Sequence, residues 1–132
     1  MKVIEKNGVV LAKHIQPQDW AEGLSFFSTD EDFIQVGAWS YDAGKDLLKH
    51  IHNEVPRTVV RTCECLYIVQ GAIRADIYDL QEEFVESFTA AAGDIVILLN
   101  SGHGYKILEN GTKVLEVKNG PYLGAETDRR RF

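Results

Sequence analysis

Little in this chain is suited to membranes, nucleic acid or a disulfide framework. No stretch comes near the roughly 20 consecutive apolar residues that a membrane-spanning helix requires. The opening MKVIEKNG also lacks the apolar run of a secretory signal, so a cytoplasmic location is expected. Lys and Arg number 14 against 20 Asp and Glu, a formal net charge of -6. Phosphate backbones are bound by a clustered excess of positive charge, and the one basic cluster is Arg129, Arg130 and Arg131. No nucleic-acid or membrane partner is expected.

Cysteine is scarce as well, with only Cys63 and Cys65, one on each side of Glu64. On an extended strand they share a face about 6.7 Å apart, a separation that a disulfide does not readily bridge. Two free thiols fit a reducing cytosol. A zinc knuckle would need a second cysteine pair, and none exists.

What the chain does have is short extended runs divided by Gly, Asn and Asp. With 132 residues, 45% hydrophobic and 26% charged, it fits one domain with a real core. Asn7-Gly8 predicts a hairpin between Val3–Glu5 and Val9–His14, because this dipeptide readily takes the positive φ of a tight turn. Residues 17–23 suggest a helical turn, and Phe33–Tyr41 alternates well enough for a strand closed by Asp42-Ala43-Gly44. His50–His52 opens a further extended piece. A meander follows through Glu64–Val69, Ile73–Tyr78 and Phe84–Thr89, then Gly93-Asp94, the apolar Ile95–Leu99, and His103–Leu108. Asn110-Gly111 turns the chain into Val114–Val117. About nine such strands predict an all-β sandwich or barrel.

The candidate chemistry begins with His50 and His52, whose i, i+2 spacing sets both imidazoles on one face of an extended strand. Imidazole nitrogens ligate first-row divalent ions, and two side by side supply half of a four-donor set. Glu64 and His103 are the candidates for the other half. Glu54 is a rival to Glu64, but on an extended strand it lies about 13 Å from His50, too far for both to bind one ion. Alternation turns Glu64, Leu66 and Ile68 inward together, and a metal ion would compensate a carboxylate placed among apolar walls.

The order Gly44, five residues, His50-Ile51-His52, then Glu64, six residues, Gly71, followed by Gly93-Asp94 and His103, resembles the two motifs of the cupin superfamily. Two features depart from that pattern. Eleven residues, NEVPRTVVRTC, separate His52 from Glu64 where the family has a much shorter gap, which puts Arg57 and Arg61 forward as substrate-binding candidates. Leu99 stands where the second motif has a proline, and the turn Asn100-Ser101-Gly102 is one residue shorter. The ending EVKNGPYLG resembles a group of small bacterial cupins of unassigned activity, sometimes associated with surface-sugar metabolism.

The resemblance spans roughly residues 33–117, with 118–132 as a tail on a single domain of residues 1–132. It implies a cupin-type double-stranded β-helix, a jelly-roll barrel with extra N-terminal strands. It further implies one divalent ion (Fe, Mn, Ni or Zn) on His50, His52, Glu64 and His103, and pairing into a homodimer. Such a site suits a metal-dependent isomerase or dioxygenase acting on a small sugar-like or carboxylate molecule, with Glu54, Tyr67 or Tyr105 as the candidate base. The alternative is a non-catalytic module that binds or senses a small ligand.

Other residues have plainer expectations. His14 has no matching partner and reads as an ordinary histidine. Trp39, Tyr67, Phe84, Phe88 and Tyr105 fit core or subunit contact, with one or two reaching a pocket. The terminal arginines could clamp an anion in forked geometry, but a solvated tail is the expected state.

Overall fold

Asn7 and Gly8 take φ of 53° and 76°, and they join β1 (Lys2–Lys6) to β2 (Val9–Ile15) as the dipeptide predicts. The computed structural model covers residues 1–132. After a 3-10 turn at Pro17–Asp19 come β3 (Gly23–Phe26), β4 (Gly37–Ser40), β5 (Glu64–Gln70), β6 (Ala72–Tyr78) and β7 (Phe84–Ala91). The chain continues through β8 (Ile95–Leu98), β9 (Gly102–Ile107), β10 (Lys113–Lys118) and one helical turn, α1 (Ala125–Asp128). The molecule is therefore all-β in its main elements, and no helix is long and apolar enough to cross a membrane.

Every strand pairing is antiparallel, and the strands form three sheets rather than one closed ring. The largest has the order β1-β2-β8-β5-β10, the second is β7-β6-β9, and β3-β4 is a separate hairpin. Ile4, Leu11, Leu66, Ile68 and Val96 from the five-stranded sheet meet Ile73, Ala75, Ile77 and Ala90 from the three-stranded one in a single apolar cluster. A second cluster covers the other face of the large sheet, where Ile15, Cys63, Ile95, Ile97 and Leu99 pack on Phe27, Ile34 and Ala38. Being buried on both faces explains why β8 reads as an unbroken IVIL run instead of an alternating one.

At Gly71, between β5 and β6, φ is +76° and an added Cβ would stand 2.4 Å from Thr112 Oγ1 and 2.9 Å from Thr112 Cα. Both the conformation and the close approach of the β10 side call for glycine there. The two cysteines are free, and both pack in the second cluster, so they do share one side of their strand.

Three local expectations need correction. The strand expected over Phe33–Tyr41 is only Gly37–Ser40, because Asp32 and Gln35 side chains bond the backbone at Thr29 and hold the preceding residues in a turn. His50–His52 starts no strand: residues 41–63 carry none at all. Its large aliphatic residues, Leu47, Leu48, Ile51, Val55, Val59 and Val60, do not alternate strictly with polar ones, and Pro56 has no N–H to give a ladder. His14 does have a partner. It is buried, with Nε2 2.8 Å from Asp94 Oδ2 and its ring stacked on Phe88 at 4.7 Å. Asp94 also accepts from the Ala91 N–H at 3.0 Å, so this acidic residue organises the turn before β8.

Candidate functional site

Glu64 opens β5, and the two-residue period that buries Leu66 and Ile68 carries its side chain to the same inner face. A carboxylate in that position needs charged or hydrogen-bonding partners. Lys118 of β10, opposite Glu64 in register, places Nζ 2.8 Å from Oε1. His103 of β9 brings Nε2 to 3.3 Å from Oε2. Burial pushes the Glu64 carboxyl upward, but the polar contacts and charge of His103 and Lys118 outweigh it and hold the group down at about 2.

The same contacts act on the partners. Lys118 also pairs with Glu116 at 2.9 Å, and the bonds to Glu64 and then Glu116 raise its ammonium above the usual lysine range. Tyr105 sits two residues past His103 with the ring centroids 5.3 Å apart. Although 37% of Tyr105 stays exposed, burial around the phenol, followed by the Glu64 charge, pushes its ionisation well above the ordinary value. Tyr105 is thus a neutral O–H donor at pH 7.

Glu64, His103 and Tyr105 border a cavity of about 630 Å³, whose rim includes Arg61 and the terminal segment from Asp128 to Phe132. Two polar atoms of residues that border it, Ser101 Oγ and His103 Nδ1, are buried without a hydrogen-bond partner in the protein. Such atoms are uncommon, because each forfeits its bond to water on burial.

The structure brings two of the four expected metal donors together, Glu64 and His103. His50 and His52 are exposed, lie edge to face at 5.1 Å, and do not border the cavity. No three His, Cys, Asp or Glu side chains stand close enough to hold an ion. The four-donor set is therefore not assembled in this arrangement, and Lys118 pairs with the Glu64 carboxylate. Glu54 and Arg57 are exposed outside the cavity, Arg57 donating to the Val55 carbonyl at 3.3 Å, whereas Arg61 borders it. Tyr67 alternates to the outer face of β5 and stays outside, while Tyr105 is on the wall.

Sequence reasoning missed Lys118, Ser101 and Asn119. Asn119 Oδ1 accepts from the Cys63 N–H at 2.6 Å, and its Nδ2 donates to the Arg61 carbonyl at 3.1 Å, which ties the approach to Glu64 to the end of β10. Lys118 could have been found by alternation, since Glu116 and Lys118 share a face, but only with the β5–β10 register in hand. Compared with known proteins, the chain matches no family model, no curated protein and no solved structure.

Proposed function

We propose that this chain is a cupin-type enzyme that binds a small sugar-like or carboxylate molecule beside Glu64 and His103 and moves a proton on it. The observation that carries this reading is the pair of buried atoms, His103 Nδ1 and Ser101 Oγ, unpartnered in residues that border the cavity. A small turn of each side chain toward the cavity would let a hydrogen-bonding guest satisfy both. With Nε2 turned to Glu64, the free Nδ1 can take a proton, and the adjacent carboxylate stabilises the imidazolium that forms. In an isomerisation, His103 would remove a proton from the carbon next to a carbonyl and return it to the neighbouring carbon. Neutral Tyr105 would donate to the carbonyl oxygen.

Incubation of the protein in heavy water with a panel of aldoses, ketoses and sugar acids, followed by NMR, tests this. Deuterium should enter next to the carbonyl, and His103→Gln should slow that exchange by roughly 100-fold or more. Ligand-dependent thermal stabilisation with every carbon-bound proton retained would instead mark a binding or sensing module.

A second reading adds a divalent ion, Fe, Mn, Ni or Zn, and one observation favours it. β9, which carries His103, is an edge strand, and residues 41–63 have no strand partner. Pairing of the His50–His52 stretch with that edge would complete a jelly roll and gather the four donors. The ion would then supply a Lewis acid to polarise the substrate oxygen. Elemental analysis of protein purified without an affinity tag, beside a His50→Ala/His52→Ala variant, decides this: loss of a stoichiometric ion in the variant supports it, and no ion in either rejects it. The exposed Leu24, Phe26 and Trp39 of the β3–β4 hairpin suit a homodimer contact, and light scattering that gives a monomer at micromolar concentration would contradict pairing.

A further inference from the structure

The terminal segment is docked, not free. The Thr62 hydroxyl bonds to Asp128, Arg130 Nε donates to Glu82 Oε1 at 2.8 Å, and the Phe132 ring meets Tyr78 edge-on at 5.2 Å. Phe132 seats on Gly102, where an added Cβ would stand 2.9 Å from its Cζ. Thus the residue directly before His103 lacks a side chain at the point where the tail crosses. These three attachments hold Arg129 and Arg131 at the rim of the cavity, with Arg61 also on its border.

Charge pairing around that cavity is uneven. Glu64 is matched by Lys118 and His103, Asp79 by Lys6 at 2.5 Å, and Glu82 by Arg130. Asp128 is bound by the Thr62 hydroxyl. By contrast, Arg61, Arg129 and Arg131 form no ion pair with any carboxylate of the chain. Three guanidiniums without an ion pair therefore border a cavity where Asp128 is the one acidic side chain that also lacks one. A planar guanidinium fork matches the oxygens of a carboxylate or phosphate, and several around one space favour an anion there.

We infer that residues 124–132 are a strap that supplies Arg129 and Arg131, with Arg61, as the recognition site for an oxyanion on the ligand. The strap thereby sets specificity: the proton-transfer end of the molecule lies at His103 and its carboxylate or phosphate lies under the arginines. This rests on the cavity reading above for where the rest of the ligand sits, but the anion contact can be tested separately.

Calorimetric titration with inorganic phosphate, gluconate and uncharged glucose, at low and high salt, makes the test. At least one of the two anions should bind, and which one does separates phosphate from carboxylate recognition. An Arg129→Gln/Arg131→Gln variant should weaken that binding by roughly tenfold or more, about 1.4 kcal/mol, and flatten its salt dependence. Gly102→Ala, which displaces Phe132, should weaken it in the same direction. Unchanged anion affinity in the double variant would overturn the inference, as would a wild-type protein that binds glucose but neither anion. Because the substituted arginines are exposed, unfolding of the double variant should stay at the wild-type temperature. A parallel titration of His103→Gln separates the two readings. Anion binding lost in the strap variant but kept in His103→Gln leaves the strap standing and removes ligand contact at His103. Loss in both supports the two together.

Discussion

Two regions of this molecule are both supplied with apolar residues, yet one is a packed sandwich and the other lies on the surface. In β5 and β6 the buried side chains recur every second position through Leu66, Ile68, Ile73, Ala75 and Ile77. Between β4 and β5, Leu48 is 89% and Ile51 is 92% exposed. The difference teaches that apolar content alone does not decide which segment joins a sheet. It also separates the proposed site residues, because Glu64 and His103 ride on the ordered strands while His50 and His52 ride on the other segment.

Substitutions should break that comparison unevenly. Ile68→Ala, at the centre of the first cluster, should lower stability by about 2–5 kcal/mol in urea unfolding; a loss near zero would mean that the cluster is not the core. Glu64→Ala should come next, at about 1–3 kcal/mol, since it strips Lys118 and His103 of their shared partner. Replacing the same residue by Gln should recover part of that loss through hydrogen bonding alone.

The Lys6–Asp79 pair should contribute less, as Lys6 faces solvent, but its pH window is defined. The bond from Lys6 lowers the Asp79 carboxyl below 3.8, so its contribution is present above that value and lost as pH falls through the depressed one. Bonds from Asp79 and then Glu83 raise Lys6 above 10.5, so its contribution is present below 10.5 and lost as pH rises beyond. A Lys6→Met variant should therefore differ most from the wild type between these limits and converge with it outside them. The smallest effect belongs to Ile51→Ser, within about 0.5 kcal/mol. A markedly larger loss would show that residues 41–63 are packed in solution, as the pairing of His50 and His52 with β9 requires.

The sequence made some of this architecture legible. Asn7-Gly8 placed the first hairpin, and the alternation of β5 placed Glu64 inside with Leu66 and Ile68. The strand Gly23–Phe26 was illegible, since its four residues carry too little alternation to distinguish them from the preceding turn. The motif outline singled out His103 and Glu64, which the fold brings together, but not Lys118, because cross-strand partners depend on register and not on spacing along the chain. For the same reason the terminal arginines read as a solvated tail: the seat of the neighbouring Phe132 at Gly102 and Tyr78 is a tertiary contact between distant parts of the chain.

The central claim is that His103 offers an imidazole nitrogen to a small molecule inside the cavity. With four histidines in the chain, nitrogen-15 NMR of histidine-labelled protein, assigned with His103→Gln, reads this directly during titration with gluconate and with glucose. The account predicts that the His103 Nδ1 resonance moves on saturation while those of His14, His50 and His52 stay in place. A His103 signal that ignores both compounds, or a response confined to His50 and His52, would contradict it.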